Sequence, residues 1–394
     1  MEIEHKMTYT IQTLNHISNK GLELLPSDKY QIVDETDAPD AILLRSFKMH
    51  DMDIPASLKA VGRAGAGVNN IPLDKMSDAG VVVFNAPGAN SNAVKELVIA
   101  GMLMACRNLI PANRFAEGLQ GDDTEIHKQV EAGKKNFAGF ELPGRTLGVV
   151  GLGAIGVLVA NAAKALGMNV IGFDPRITID HAWKLSADVQ GAESIEELLQ
   201  QSDFITFHVP LIEATKHLIN AETLQMMKDN VVILNLARDG IVDDEAVVAA
   251  LESGKVYSYV CDFPSNLLKD NPRVVALPHL GASTREAEEN CAIMVANQVR
   301  DYLENGIILN SVNMPNVKLD RKGAARIAMM AKNVPDMLGQ LSHILGKANI
   351  NIIHMRNDSK DDLAYTLVDV ESEVPDDIVA ELKALDGVIR VRIL

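Results

Sequence analysis

The chain has 394 residues, 47% of them hydrophobic, enough for two or three separate cores. Its 37 Lys and Arg against 53 Asp and Glu leave a formal net charge of -16, which argues against nucleic acid or an anionic membrane as the main partner. No apolar run is long enough to cross a bilayer, since the stretch from Leu97 to Ala105 breaks at Cys106-Arg107-Asn108. Met1 to Lys6 lacks the apolar core of a secretion signal, and Cys106, Cys261 and Cys291 are odd in number and far apart, so neither a disulfide framework nor a metal site is expected. These features together point to a cytoplasmic protein.

From about Ile11 to Asn85, short β-rich runs alternate with turn and helix signals, and Ala41 to Arg45 and Val81 to Asn85 read as buried strands. Ser91 to Leu109 is helical, long and apolar. From Leu147 the alternation resumes: a strand to Val150, a helix over Ala154 to Ala165, then strands at Asn169 to Phe173, Phe204 to Val209, Val231 to Leu236, Tyr257 to Cys261 and Val274 to Leu277. Six strands separated by helical segments make a doubly wound sheet of the dinucleotide-binding kind. Arg285 to Glu304 reads as a long helix that carries the chain back to the first domain. Asn310 to Lys322 is short, polar and proline-containing, and reads as a linker. The remaining segments alternate β (Ala325 to Ala331), α (Asp336 to Ala348), β (Ile350 to Arg356), β (Ala364 to Val370), α (Pro375 to Ala384) and β (Val388 to Ile393), a βαββαβ module.

Gly151-Leu-Gly153-Ala-Ile-Gly156 follows an apolar strand and opens a helix. The first glycine permits the tight turn, the second lets the backbone approach a pyrophosphate, and the third permits close packing of helix on strand. The helix N-terminus offers free N–H groups to the phosphates. Asp174 closes the next strand, where a carboxylate meets ribose hydroxyls and repels a 2′-phosphate, so NAD is expected rather than NADP. Two further residues follow strand ends: Arg238, in Asn235-Leu-Ala-Arg-Asp-Gly240, and His279, in Leu277-Pro-His-Leu-Gly281. A guanidinium matches a carboxylate and an imidazole both gives and takes a proton, so the pair suits hydride chemistry on a small anionic 2-hydroxy or 2-oxo acid.

With these residues the chain resembles the D-isomer-specific 2-hydroxyacid dehydrogenases over nearly its whole length, and most closely their phosphoglycerate dehydrogenase branch with a C-terminal ACT domain. The matching stretches are Arg63-Ala-Gly-Ala-Gly-Val-Asn-Asn-Ile71, Asn85-Ala-Pro-Gly88, Gly151 to Gly156, His208-Val-Pro210, Asn235 to Gly240 and Pro278-His-Leu-Gly-Ala-Ser-Thr284. The resemblance implies two Rossmann-like domains with a deep cleft: a discontinuous substrate-binding domain (1–97 and 285–317), an NAD-binding domain (98–284), a linker (318–322) and an ACT-like domain (323–394). It implies that Arg238 orients the substrate and that His279 gives or takes the proton. The cofactor is expected on Gly151, Gly153, Ala154, Ile155, Gly156, Asp174, Val209, Leu236, Ala237, Asp262 and Gly281. The substrate is expected on Arg45, Ser46, Gly65, Ala66, Gly67 and Asn90, with Lys48, Lys134 and Lys135 as either a phosphate-facing patch or a solvated lysine face.

Two departures stand out. The family's glutamate after the Asp262 position is missing from Asp262-Phe-Pro-Ser-Asn-Leu-Leu268, which leaves Asp270 as the candidate replacement. Asp239 stands where the family has glycine, putting a carboxylate beside Arg238. In the C-terminal module, Asn333 and Asn351 match positions that hold serine in feedback-inhibited relatives, while Ala331 and Asp336 depart from that pattern. Serine feedback and a ligand-free dimerisation module both stay open, and either implies a homo-oligomer. The expected reaction is NAD-dependent oxidation of 3-phospho-D-glycerate to 3-phosphohydroxypyruvate, the first step of serine biosynthesis, with 2-oxoglutarate reduction as a side activity. The alternatives are a hydroxypyruvate/glyoxylate reductase, a D-lactate dehydrogenase, or an NAD(H)-sensing binding protein without turnover.

Overall fold

A computed structural model describes residues 8–394; the reading of Met1 to Lys6 lies outside the described residues. The chain divides into two compact units. One takes the chain up to Asn90 together with Arg285–Leu394, and the other is Ser91–Thr284.

The first unit opens with five strands, β1 (Tyr9–Leu14), β2 (Tyr30–Val33), β3 (Ala41–Leu44), β4 (Ala60–Arg63) and β5 (Val82–Phe84). They pair in parallel in the order β2-β1-β3-β4-β5. Strand β3 reads Ala-Ile-Leu-Leu and is buried on both faces, as the centre of a parallel sheet requires.

The second unit holds a seven-stranded parallel sheet: β6 (Thr146–Val150), β7 (Asn169–Phe173), β8 (Gln190–Gly191), β9 (Phe204–Phe207), β10 (Val231–Asn235), β11 (Val256–Cys261) and β12 (Val274–Ala276). The order is β12-β11-β10-β9-β6-β7-β8. The six strands read from the sequence are all there, and the two-residue β8 adds a seventh. Strand order reverses between β6 and β9, so the carboxyl ends of these two strands flank the point where ligands of such sheets bind. Helix α1 (Ser91–Cys106) packs beneath β10 and β11 and against α2 (Ala154–Ala165); Gly101 permits this, because a Cβ there would sit 3.0 Å from Val260 Cγ1. Helix α3 (Asp244–Ser253) starts on Asp243, whose carboxylate accepts from the N–H groups of Glu245 and Ala246.

Helix α4 (Arg285–Asn305) belongs to the first unit, where Val295, Val299, Tyr302 and Leu303 share a core with Ile11, Leu43 and Phe84. Within the stretch expected as a linker, Asn313 accepts from Val83 N–H and donates to the Val81 carbonyl and Ser77 Oγ, which pins the segment to β5. Strands β13 (Ala325–Lys332), β14 (Ile352–Lys360), β15 (Leu363–Val370) and β16 (Val388–Ile393) form an antiparallel sheet ordered β14-β15-β13-β16. Helices α5 (Met337–Lys347) and α6 (Asp376–Lys383) complete the βαββαβ pattern. One face of this sheet packs on these helices through Ile327, Met329, Leu341 and Val368. The other face joins the core of the first unit through Ala328, Met330, Tyr365 and Leu367. Burying both faces explains why β13 reads as an apolar run apart from Arg326 and the exposed Lys332 at its end.

Candidate active site

In the second unit, the glycine-rich turn leaves β6 with Gly151 at φ +90, a conformation that side chains rarely adopt. A Cβ on Gly156 would lie 1.9 Å from the Gly151 carbonyl oxygen, so that glycine is required by helix–strand packing. Gly153 differs. It stands at the N-cap of α2 and a Cβ there would meet nothing within 4 Å. Nothing in the chain demands glycine at this point, so the open cradle suits a group approaching from outside. Asp174 accepts from the backbone N–H of Leu152 (2.8 Å) and of Arg176 (2.8 Å), so it braces the glycine turn while retaining free lone pairs. Val209 borders the same turn, its Cγ1 2.8 Å from where a Gly151 Cβ would be. Burial pushes the neighbouring His208 down to about 3, keeping it neutral, and its Nε2 contacts Thr206 Oγ1 at 3.2 Å.

The turn after β10 is folded by Asn235, whose Nδ2 donates to the Arg238 carbonyl (2.8 Å) and whose Oδ1 accepts from Ala237 N–H. Sequence reasoning read Asn235 only as part of a motif; its signal was an amide at a strand end immediately before a turn. Leu236 is buried, and exposed Arg238 donates from Nη1 to the Ala237 carbonyl at 2.6 Å. At the end of β11, Asp262 is 2% exposed, and among the described residues neither carboxylate oxygen has a hydrogen-bond partner. Burial pushes its carboxyl above the ordinary value, against the opposing pull of the His279 and Arg238 charges. Gly281 lies beside it, a Cβ there being 3.8 Å from Asp262 Oδ2. His279 follows β12 at φ +46, held by its backbone N–H donating to the Asp262 carbonyl (2.9 Å). Its imidazole rests on the Phe263 ring at 4.4 Å between centroids. A cavity of about 880 Å³ is lined by Asp262, Phe263 and His279 together with Asn235, Asp239 and Asp244.

These observations fit a bound NAD: an open glycine cradle at a helix N-terminus, a carboxylate with spare lone pairs after the second strand, and a buried acceptor aimed at no protein donor. Gly151 to Gly156, Asp174, Val209 and Asp262 are the residues that would hold it.

One expectation needs correction. Asp270 does not replace the missing glutamate: it is exposed and paired with Lys269 at 2.6 Å. Asp239, next to Arg238 in the chain, lines the cavity. Lys134 pairs with Glu131 on the surface, as a solvated lysine would.

The expected substrate residues of the first unit cluster at the ends of β3 and β4. Arg45 makes an ion pair with Glu288 at 2.6 Å, and its carbonyl accepts from Arg63 Nε (3.1 Å) and Asn70 Nδ2 (3.2 Å). Ser46 N–H donates to Asn15 Oδ1. The turn Gly65-Ala66-Gly67 is held by Ala86 N–H on the Gly65 carbonyl and Asn85 Nδ2 on the Ala66 carbonyl. Arg63 Nη1 lies 2.4 Å from where a Gly65 Cβ would stand, so glycine makes room for a guanidinium. Arg63 was missed as a site residue, although its place at the end of β4 was the available signal. Asn90 closes this part of the first unit. In the C-terminal module, Asn333 lines a cavity of about 230 Å³ with Asp336 and Asn357. Asn351 lies at the other end of α5 and donates to Glu371 Oε2 (3.1 Å), so the chain does not bring the two asparagines together.

Residues 99–281 match the model of the D-isomer specific 2-hydroxyacid dehydrogenase NAD binding domain. The chain is 34% identical to D-3-phosphoglycerate dehydrogenase of Haemophilus influenzae over 351 residues, covering 86% of this chain and 81% of that protein. It is therefore a member of the D-isomer specific 2-hydroxyacid dehydrogenase family. Its similarity to D-3-phosphoglycerate dehydrogenase of Methanocaldococcus jannaschii is 36% identity over 83% of this chain, but the chain spans only 61% of that relative's length. Among solved structures, NAD+-bound 3-phosphoglycerate dehydrogenase of Entamoeba histolytica matches with a TM-score of 0.60 at 25% identity, covering 78% of this chain and 99% of that one. A glyoxylate reductase of Paecilomyes thermophila matches with a TM-score of 0.62 at 29% identity, covering 77% and 98%. No helix among the described residues is long and apolar enough to cross a membrane.

Proposed function

We propose that the protein oxidises 3-phospho-D-glycerate to 3-phosphohydroxypyruvate with NAD as hydride acceptor. The observation that carries this reading is the grouping of Arg238, Asp262 and His279 at the carboxyl ends of β10, β11 and β12. Bound NAD+ supplies the site with a hydride acceptor. Arg238 holds the substrate carboxylate with its fork of N–H donors. His279 takes the proton of the C2 hydroxyl as the C2 hydride departs, and returns a proton to the carbonyl oxygen in the reverse direction. Asp262 is the residue that would accept from the cofactor's amide, a donor its buried oxygens otherwise lack among the described residues.

A phosphorylated substrate is favoured by two guanidinium groups, Arg45 and Arg63, at adjacent strand ends beside Gly65-Ala66-Gly67, although Glu288 already pairs with Arg45 and an anion must compete with that carboxylate. The Ala66 and Gly67 N–H groups and the Ser46 hydroxyl would complete an anion-binding surface, with Asn90 contributing an amide, while the Gly65 N–H is engaged by the Arg63 carbonyl. We read 323–394 as an ACT-like regulatory module, with L-serine as its candidate effector at the Asn333 cavity and pairing of modules across subunits as the oligomer contact.

The test is NADH formation from 3-phospho-D-glycerate against D-lactate, D-glycerate and 2-hydroxyglutarate. Selective turnover of the phosphorylated acid supports the reading; turnover of unphosphorylated acids alone sinks it while leaving the catalytic pair intact. Calorimetric titration with L-serine tests the module, and absence of heat up to millimolar serine refutes the effector assignment.

A further inference from the structure

His279 has an unusual problem of support. It is an exposed side chain on a backbone in the left-handed region, and among the described residues no protein group hydrogen-bonds to its ring. The segment from Phe263 to Leu268 contains no carboxylate, and Asp270 is engaged by Lys269. An exposed imidazole without a partner samples its staggered rotamers within nanoseconds, whereas proton transfer requires one of them.

We propose that Phe263 is the positioning residue of His279, its aromatic ring holding the imidazole plane where no hydrogen bond does so. This rests on the reading of His279 as the proton acceptor. Four observations meet at this pair. The ring centroids lie 4.4 Å apart with a 42° tilt, a close contact at the lower edge of the roughly 4.5–7 Å span in which tilted aromatic rings attract. The backbone tie from His279 N–H to the Asp262 carbonyl fixes the starting points of both side chains, since Phe263 follows Asp262 directly. Pro264 then confines the Phe263 backbone to extended conformations, which limits where the ring can point. The half-buried Phe263 borders the same cavity as His279, so the ring also walls one side of the imidazole from water. Contact of this kind biases the rotamer population about two- to tenfold.

The test uses the full chain with Phe263→Leu and Phe263→Tyr, and Phe263→Met if the leucine variant does not fold. Histidine ring signals are followed by NMR, with His279 assigned by its loss in His279→Gln. NADH affinity is measured by fluorescence, and turnover on the hydroxy acid that wild type prefers. We expect Phe263→Leu to remove the ring-current shift of His279, lower kcat about three- to tenfold at unchanged KM and NADH affinity, and alter the pH–rate profile, with Phe263→Tyr keeping the shift, kcat and profile of wild type. Unchanged His279 signals and pH profile in Phe263→Leu overturn the proposal, as does an equal loss in both variants accompanied by weaker NADH binding. If wild type turns over no hydroxy acid, the proposed reaction fails, and the NMR comparison alone still decides whether Phe263 holds the ring.

Discussion

Asp262 carries an electrostatic cost that the free protein does not relieve. A carboxylate 2% exposed with no donor on either oxygen binds its proton more tightly in the folded than in the unfolded chain. For an acid whose folded pKa is raised, the native state holds more protons through the window above the ordinary aspartate value of 3.8, so stability falls as pH rises through that window and stays lower above it. Asp262→Asn is therefore expected to stabilise the cofactor-free protein at pH 7 by an amount on the order of 1–3 kcal/mol, seen as a higher melting temperature, and to lose that gain below pH ~4. The same substitution should weaken NADH binding, because an amide presents one acceptor where the carboxylate presents two. A melting curve unchanged at pH 7 would contradict the account of the buried charge. For His279→Gln, kcat should fall by roughly 10²- to 10⁴-fold and one limb of the pH–rate profile should vanish. An unchanged profile would exclude His279 as the titrating group. Arg238 and His279 stood out in the sequence because strand ends are where chemistry is placed in such sheets, whereas Asp262 was marked only by the family resemblance. The left-handed backbone of His279 was not legible, because a tertiary bond to the Asp262 carbonyl imposes it.

The three glycines of the turn after β6 do different work, and substitution separates them. Gly156→Ala forces a methyl to within 1.9 Å of the Gly151 carbonyl oxygen and should unseat α2 from β6, seen as a loss of several degrees in melting temperature. Gly153→Ala places its methyl in open space, so the fold should melt within about 0.5 kcal/mol of wild type while NADH affinity drops at least tenfold. Equal affinity in Gly153→Ala would show that the cradle is not where the phosphates sit. At this scale the sequence carried most of the information. Long apolar strands and the βαββαβ run declare themselves by pattern, whereas β8 is two exposed residues with no periodicity to detect. Asn333 and Asn351 stand at opposite ends of α5, as the helix read between them in the sequence already implies, so one effector meets both only between paired copies of the module.

Across the whole first unit, arginines tie the C-terminal sheet to the rest. Arg390 donates to the carbonyls of Leu58 and Ala79, and Arg392 to those of Tyr302 and Leu303 while lying 4.8 Å over the Tyr302 ring. Arg326 is fully buried, bidentate on Asp369 at 2.6 and 2.9 Å, and donates to the Asn305 carbonyl. Burial pushes the Asp369 carboxyl up, but the Arg326 hydrogen bonds, the Lys322 N–H and nearby positive charge outweigh it and hold the carboxyl low. With a depressed folded pKa, this stabilisation is present above the unfolded value of 3.8 and is lost as pH falls through the folded value. Arg326→Met strands a buried carboxylate and should cost about 3–5 kcal/mol, whereas Arg326→Met with Asp369→Leu should recover most of it. Urea unfolding at pH 7 measures both, and an additive double variant would refute the coupling. None of these ties could be read from the sequence, because each joins residues more than 20 positions apart.

The shared core of the first unit also sets an order of assembly during synthesis. Ile11, Leu43 and Phe84 leave the ribosome early, but the residues that seal them, Val295, Val299 and Tyr302 of α4, follow only after all of Ser91–Thr284. The inserted unit is complete while its host still lacks one wall. The nascent chain therefore finishes its nucleotide-binding portion first and exposes the apolar floor of the other for nearly two hundred further codons, the interval in which chaperones have most to protect.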